Sequence, residues 1–145
     1  MAVPHRAHLV APPRAIDHVT LATGDHRAAK QFYERALRPL GFSIAFDWPE
    51  GGRAYLGVAG EPSTLWLVER DDARRGAVSL GAPDASAVDR FYAAALAAGA
   101  RSLAPPAPRP EHTPSTYSAE VLDPDGNAVE AICWNAPPLA AEHAA

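Results

Sequence analysis

Cysteine is nearly missing from this chain: Cys133 is the single one in 145 residues. One thiol excludes an internal disulfide framework and fits a reducing compartment. Long apolar runs are missing as well. No stretch approaches the roughly 20 residues needed to cross a bilayer, and the first residues lack the apolar segment of a signal peptide. The expected location is cytoplasmic, with no membrane partner. Basic charge is in deficit, since 13 Lys and Arg stand against 17 Asp and Glu, a net charge of -4. Such a balance does not call for nucleic acid. No GxGxxG, P-loop, nucleophile elbow, CxxC or HExxH occurs, which removes the common nucleotide, serine-nucleophile, dithiol and zinc-protease readings.

What is present is an apolar fraction of 48%, enough for a hydrophobic core in a chain of single-domain length. Proline is plentiful but crowded. Pro4, Pro12 and Pro13 mark an N-terminal arm over 1–13, expected to be flexible, and Pro137 and Pro138 open an Ala-rich tail over 136–145. Pro105, Pro106, Pro108, Pro110 and Pro114 fill one internal segment. Proline lacks the N–H that a sheet interior needs, so this segment is expected to be a loop. The ordered domain is expected over 14–135.

Within it the sequence repeats. DHRAAKQFYERAL from Asp25 and DASAVDRFYAAAL from Asp84 match at an offset of 59. Each opens with an Asp able to accept a backbone N–H at a helix N-terminus, and each ends near a glycine, Gly41 or Gly99. Ala28, Phe32, Ala36 and Leu40, with Ala29, Tyr33 and Leu37 beside them, make an apolar stripe at helical period. Val88, Phe91, Tyr92, Ala95 and Leu96 make a second. AIDHVTLAT precedes the first helix, and FSIAF, RAYLGVA and STLWLVE follow it. GAVSLGA precedes the second, and RSLA, the Pro-rich loop, YSAEVL and NAVEAICW follow, the last two joined by DPDG. The expectation is α+β: two βαβββ modules, 14–70 and 76–135, each with one face of its sheet buried under one helix.

Side chains alternate across a strand, so one parity packs on the helix and the other faces away. Ile16, His18 and Thr20 share the non-helical parity with Ala77 and Ser79, with Thr64, Trp66 and Val68, and with Ala128, Glu130, Ile132 and Trp134. Cys133 falls on the helix side, as a core thiol. A carboxylate such as Glu130 among apolar neighbours has to be neutral, paired or hydrogen-bonded.

A doubled βαβββ chain with histidine in its first strand and glutamate just after DPDGN in its last resembles the vicinal-oxygen-chelate superfamily. That superfamily includes glyoxalase I, bleomycin-resistance proteins and extradiol dioxygenases. The resemblance implies that the modules form a cupped mixed sheet with helices on the outer face, whose non-helical faces line one site for a small organic molecule. It also implies that a divalent metal (Zn, Ni, Fe or Mn) sits there in many members, and that the chain is a homodimer. It carries the metal-ligand positions onto His18 and Glu130. The offset of 59 carries a third position onto Ala77, and aligning GNAVEA with PSTLWL carries the fourth onto Trp66; neither residue can ligate. A catalytic metal centre normally has three protein ligands, so His112 and Glu120 are the candidates to complete one.

Three readings remain open. The preferred one is a protein with a degenerate metal site and no cofactor, which binds an organic ligand or transforms it with His18 and Glu130 as acid–base groups. Trp66, Tyr55, Arg53, His112, Tyr117 and Glu120 are then its substrate contacts. Trp66 either stacks on the ligand or fills the cavity. The plainer alternative for His18 and Glu130 is a mutual pair without chemistry. The second reading is a metal-dependent lyase, isomerase or dioxygenase holding its metal with His18, Glu130 and His112. The third is a structural module plugged by Trp66. The polar run His112 to Tyr117 is expected as a rim or lid. ERDDARR, from Glu69 to Arg75, is the exposed link between modules.

Overall fold

The computed structural model describes residues 15–72 and 74–137. The arm over 1–13 and the tail beyond Pro137 lie outside them. The first module runs β1 (Val19–Thr23), α1 (His26–Ala36), β2 (Phe42–Trp48), β3 (Arg53–Val58) and β4 (Leu65–Glu69). The second runs β5 (Ala77–Gly81), α2 (Ala85–Ala97), β6 (Arg101–Pro108), β7 (Tyr117–Leu122) and β8 (Ala128–Cys133). Each module forms a four-stranded mixed sheet, in the order β1-β4-β3-β2 or β5-β8-β7-β6. The first strand pairs in parallel with the last, so these two strands lie side by side at one edge of each sheet. The protein is α+β, with both helices packed on the sheets.

The caps expected from sequence form as hydrogen bonds. Asp25 accepts from the Ala28 N–H at 3.0 Å and Asp84 from the Ala87 N–H at 2.7 Å. Both satisfy donors that the helix itself leaves unpaired. Beyond α1 a short 3-10 turn (Arg38–Leu40) ends at Gly41, whose φ of 84° suits only a residue without Cβ. Helical periodicity buries Ala29, Phe32, Tyr33, Ala36, Leu37 and Leu40 on one side and Ala87, Val88, Phe91 and Ala95 on the other. Two members of the expected stripes stay out of the core: Ala28 is exposed and Leu96 is 38% exposed. The helices pack against each other, so both modules share one continuous core, with Cys133 inside it.

The first half of the Pro-rich segment corrects the expectation of a loop, while Pro110 and Pro114 do lie in one. β6 runs through Pro105 and Pro106 to Pro108. It is an edge strand, where a missing N–H costs least. Its pairing skips between Ser102 and Ala104 and again between Ala104 and Ala107, so Pro105 and Pro106 fall where the register is broken.

DPDGN is more than a hairpin turn. Asp123 is 4% exposed and accepts from four donors. These are the Asp125 and Asn127 N–H groups at 2.9 and 2.8 Å, the Asn127 amide at 2.9 Å, and the Tyr33 hydroxyl of α1 at 2.5 Å. The Asn127 amide also donates to Ala22 O of β1, and Asp125 accepts from the Thr23 hydroxyl at 2.6 Å and from Gly24 N–H at 2.9 Å. One turn of the second module is thus fastened to the first by charge-assisted bonds. Among the described residues no helix is long and apolar enough to cross a membrane.

Candidate functional site

The two sheets carry equivalent rows of side chains with different chemistry. In the first, the register sets Thr20 beside Trp66, Trp66 beside Tyr55 and Tyr55 beside Phe46. In the second it sets Ser79 beside Glu130, Glu130 beside Glu120 and Glu120 beside Ala104. Thr20 and Ser79 are 59 residues apart, the repeat offset. Trp66 therefore occupies in one module the place that Glu130 occupies in the other.

The first row is a pile of rings. His18, one residue before β1, lies on the Trp66 indole with centroids 3.4 Å apart and planes 10° apart. Tyr55 covers the other indole face at 4.2 Å and 17°, and Phe46 follows Tyr55 at 5.0 Å. Trp66 therefore offers no free ring face. The row turns its ring edges outward, and an aromatic edge carries the positive part of the quadrupole. The Trp66 Nε1–H is buried and has no hydrogen-bond partner among the described residues. Phe46 and Trp48 are 45% and 49% exposed, so this face is open at its β2 end.

In the second row Glu130 accepts from the Ser79 hydroxyl at 2.6 Å and from the Ser118 hydroxyl at 3.0 Å. Ser118 accepts in turn from Arg109 Nε at 3.2 Å. Half-buried carboxylates need such donors. Glu120, directly across the strand pair, has no hydrogen bond to its carboxylate from a described residue. Sequence reasoning put Ser79 on this face, but it missed Ser118 and Arg109. Ser118 shares parity with Glu120, a signal that was there to be read. Arg109 was hidden in a segment taken for a loop.

His18 and Glu130 thus have separate partners. His18 Nδ1 lies 2.8 Å from Asp17 Oδ1, and no bond joins the histidine to Glu130. His112 is exposed, its ring 5.9 Å from that of Trp134. Its loop is held internally by Arg109 N–H to Thr116 O and by the Thr113 and Thr116 hydroxyls at 2.7 Å. Tyr117 packs on the helix side of its strand. Its hydroxyl donates to Asp89 of α2 at 2.6 Å, and burial together with that bond pushes its pKa up to about 12. Arg53 sits beside Trp48 and Val68 in the row next to the rings. The metal donors expected from sequence do not fit a centre within the chain: no group of three His, Cys, Asp or Glu converges among the described residues.

Elsewhere, Asp47 lies on the helix side of β2. It accepts from Lys30 Nζ at 2.6 Å and sits 3.0 Å from the Nε2 of the buried His26, close enough for an ion pair though not in hydrogen-bond geometry. The Lys30 hydrogen bond leads in holding the Asp47 carboxyl below its usual pKa. Tyr33 is pushed well above its usual value, by burial first and by Asp123 second.

Two βαβββ modules joined through one core, with equivalent rows of side chains on their non-helical sides, define a glyoxalase-like class of protein. Residues 15–131 match the Glyoxalase/Bleomycin resistance protein/Dioxygenase superfamily, and the chain belongs to it. No curated protein matches. Among solved structures, a glyoxalase/bleomycin resistance protein from Albidiferax ferrireducens T118 superposes with a TM-score of 0.72 at 24% identity, covering 81% of this chain and 98% of its own. A lactoylglutathione lyase from Agrobacterium tumefaciens gives 0.62 at 24%, covering 85% and 96%. A glyoxalase I variant from Zea mays gives 0.61 at 28% over 80% of this chain, which spans less than half (45%) of that protein.

Proposed function

We propose that this chain binds a flat organic molecule on the non-helical face of its first sheet, and holds or transforms it there without a metal. The observation that supports this is the row His18–Trp66–Tyr55–Phe46, four rings deep on a face that is open at one end. Outward ring edges favour the face of a planar ligand laid across them, an edge-to-face contact worth about 0.5–1.5 kcal/mol per pair beyond burial. Glu130, oriented by Ser79 and Ser118, is the acid–base group of the second sheet's row, and Glu120 is its neighbour. His18 is a structural part of the ring row first and a proton carrier second.

A metal has no third ligand in this reading, because Trp66 and Ala77 stand where ligands would be needed. A homodimer is the assembly proposed, with the second copy roofing the open face. The proposal is tested with 1-naphthol as a planar neutral probe in calorimetric titration. Wild type is expected to bind it and Trp66→Ala to bind at least about tenfold more weakly, a loss of 1.4 kcal/mol. Equal binding by both proteins overturns the reading. Metal quantified in protein purified without chelator or affinity tag is expected well below one per chain.

A further inference from the structure

A cleft of about 300 Å³ opens beside the ring row, lined by Thr20, Ala22, Arg70, Asp72 and Arg74. A second of about 150 Å³ shares Ala22, Arg70 and Arg74 and adds Arg75 and Asp125. Both arise where the segment between modules passes the end of β1. Thr20 and Ala22 are the register partners of Trp66 and Val68. Arg70, one residue beyond β4, continues the alternation Trp66, Val68, Arg70 and keeps its N–H bonded to Thr23 O at 3.0 Å, which sets it on the same face as the rings. Four residues of extended chain put it roughly 13 Å from Trp66 along the strand. Arg53, the register partner of Val68, is on that face too.

The charges around the cleft are unevenly engaged. Both oxygens of Asp125 already accept from Thr23 and Gly24. Asp72 is the one carboxylate lining the larger cleft, and Asp71 lines the smaller. Neither Arg70 nor Arg74 makes a side-chain hydrogen bond or ion pair with a described residue. Two guanidinium forks with free donors suit an oxyanion, which they bind in paired hydrogen bonds.

We propose that this cleft is an anion subsite: Arg70 and Arg74, with the Thr20 hydroxyl, bind a carboxylate or phosphate carried by the flat ligand whose rings lie across the row. The inference rests on the ring-row reading and narrows its substrate class to planar organic anions. The positive ring edges reinforce it, since they favour the same sign of charge.

Calorimetric titration of wild type, Arg70→Ala/Arg74→Ala and Trp66→Ala with 1-naphthol, 1-naphthoate and 1-naphthyl phosphate tests it. Wild type is expected to prefer at least one anion over 1-naphthol by about tenfold, as one charge-assisted bond supplies. The preference should shrink with added salt. The arginine double variant is expected to lose that preference while keeping its 1-naphthol affinity and its melting temperature, both arginines being exposed. Preference for only one of the two anions identifies the group recognised. A preference that survives in the double variant, or none in wild type, overturns the subsite while leaving the ring row standing if Trp66→Ala still weakens 1-naphthol. Arginine-dependent binding that Trp66→Ala leaves untouched supports the cleft and overturns the ring row. No binding of any probe by wild type overturns both.

Discussion

The imidazole of His18 lies flat on the indole of Trp66, 3.4 Å between centroids and 10° between planes. The resemblance to the superfamily carries a metal-ligand position onto each of them, one at the first and one at the last strand of the first module, and only the histidine could ligate. Here a ring contact joins them. A double-mutant cycle of His18→Ala and Trp66→Ala, read by urea denaturation, is expected to show a coupling of about 0.5–1.5 kcal/mol. Additive single effects would mean the stack contributes nothing.

Tyr33 and Asp123 test how the modules are joined. Tyr33→Phe removes one of four hydrogen bonds to a buried carboxylate, and it is expected to cost about 1.5–3 kcal/mol. Asp123→Ala leaves Tyr33, Asn127 and two backbone N–H groups without their acceptor, so it should cost more. Denaturant midpoints for both variants check the order, and the reverse order would contradict the joint described here.

Asp47 gives a pH dependence whose sign follows from its lowered pKa. In the unfolded chain an aspartate titrates near 3.9. The folded carboxyl holds its charge to lower pH, so its contribution is present above about pH 4 and is lost as pH falls through the folded value. Asp47→Asn is therefore expected to be less stable than wild type at pH 7, with the gap narrowing at pH 3. A gap of constant size would remove Asp47 from the acid response.

Gly126 has a φ of 90°, and a Cβ there would lie 2.9 Å from Arg75 Nε. Gly126→Ala is expected to destabilise by about 1–2 kcal/mol from the left-handed backbone alone, with Arg75 displaced besides. Gly81, which has no atom within 4 Å of a Cβ, is the control. Gly81→Ala should change stability by no more than about 0.5 kcal/mol. Thermal denaturation of the two variants side by side separates them.

Period and punctuation made most of the architecture legible in the sequence. Helical spacing, two capping aspartates and strand alternation are local properties of the chain, and they led to α1, α2 and the strands with their faces. Even the equivalence of Trp66 and Glu130 could be read by aligning GNAVEA with PSTLWL, because a duplicated module repeats its strands. β6 escaped because proline argues against a strand, and only its place at the sheet edge makes it tolerable. Ser118, Arg109 and the Tyr33–Asp123 joint escaped because hydrogen bonds across modules have no period.

By itself, then, the sequence determined the family, the two-module fold and which residues share a face. The tertiary structure decided who touches whom. It set His18 against Trp66 and gave Glu130 to Ser79 and Ser118. It turned Tyr117 to the helix and brought Arg70 and Arg74 beside Thr20. Alternation along a strand depends only on backbone geometry. Partnership depends on how two sheets and a linker come together in space, and no single segment encodes that.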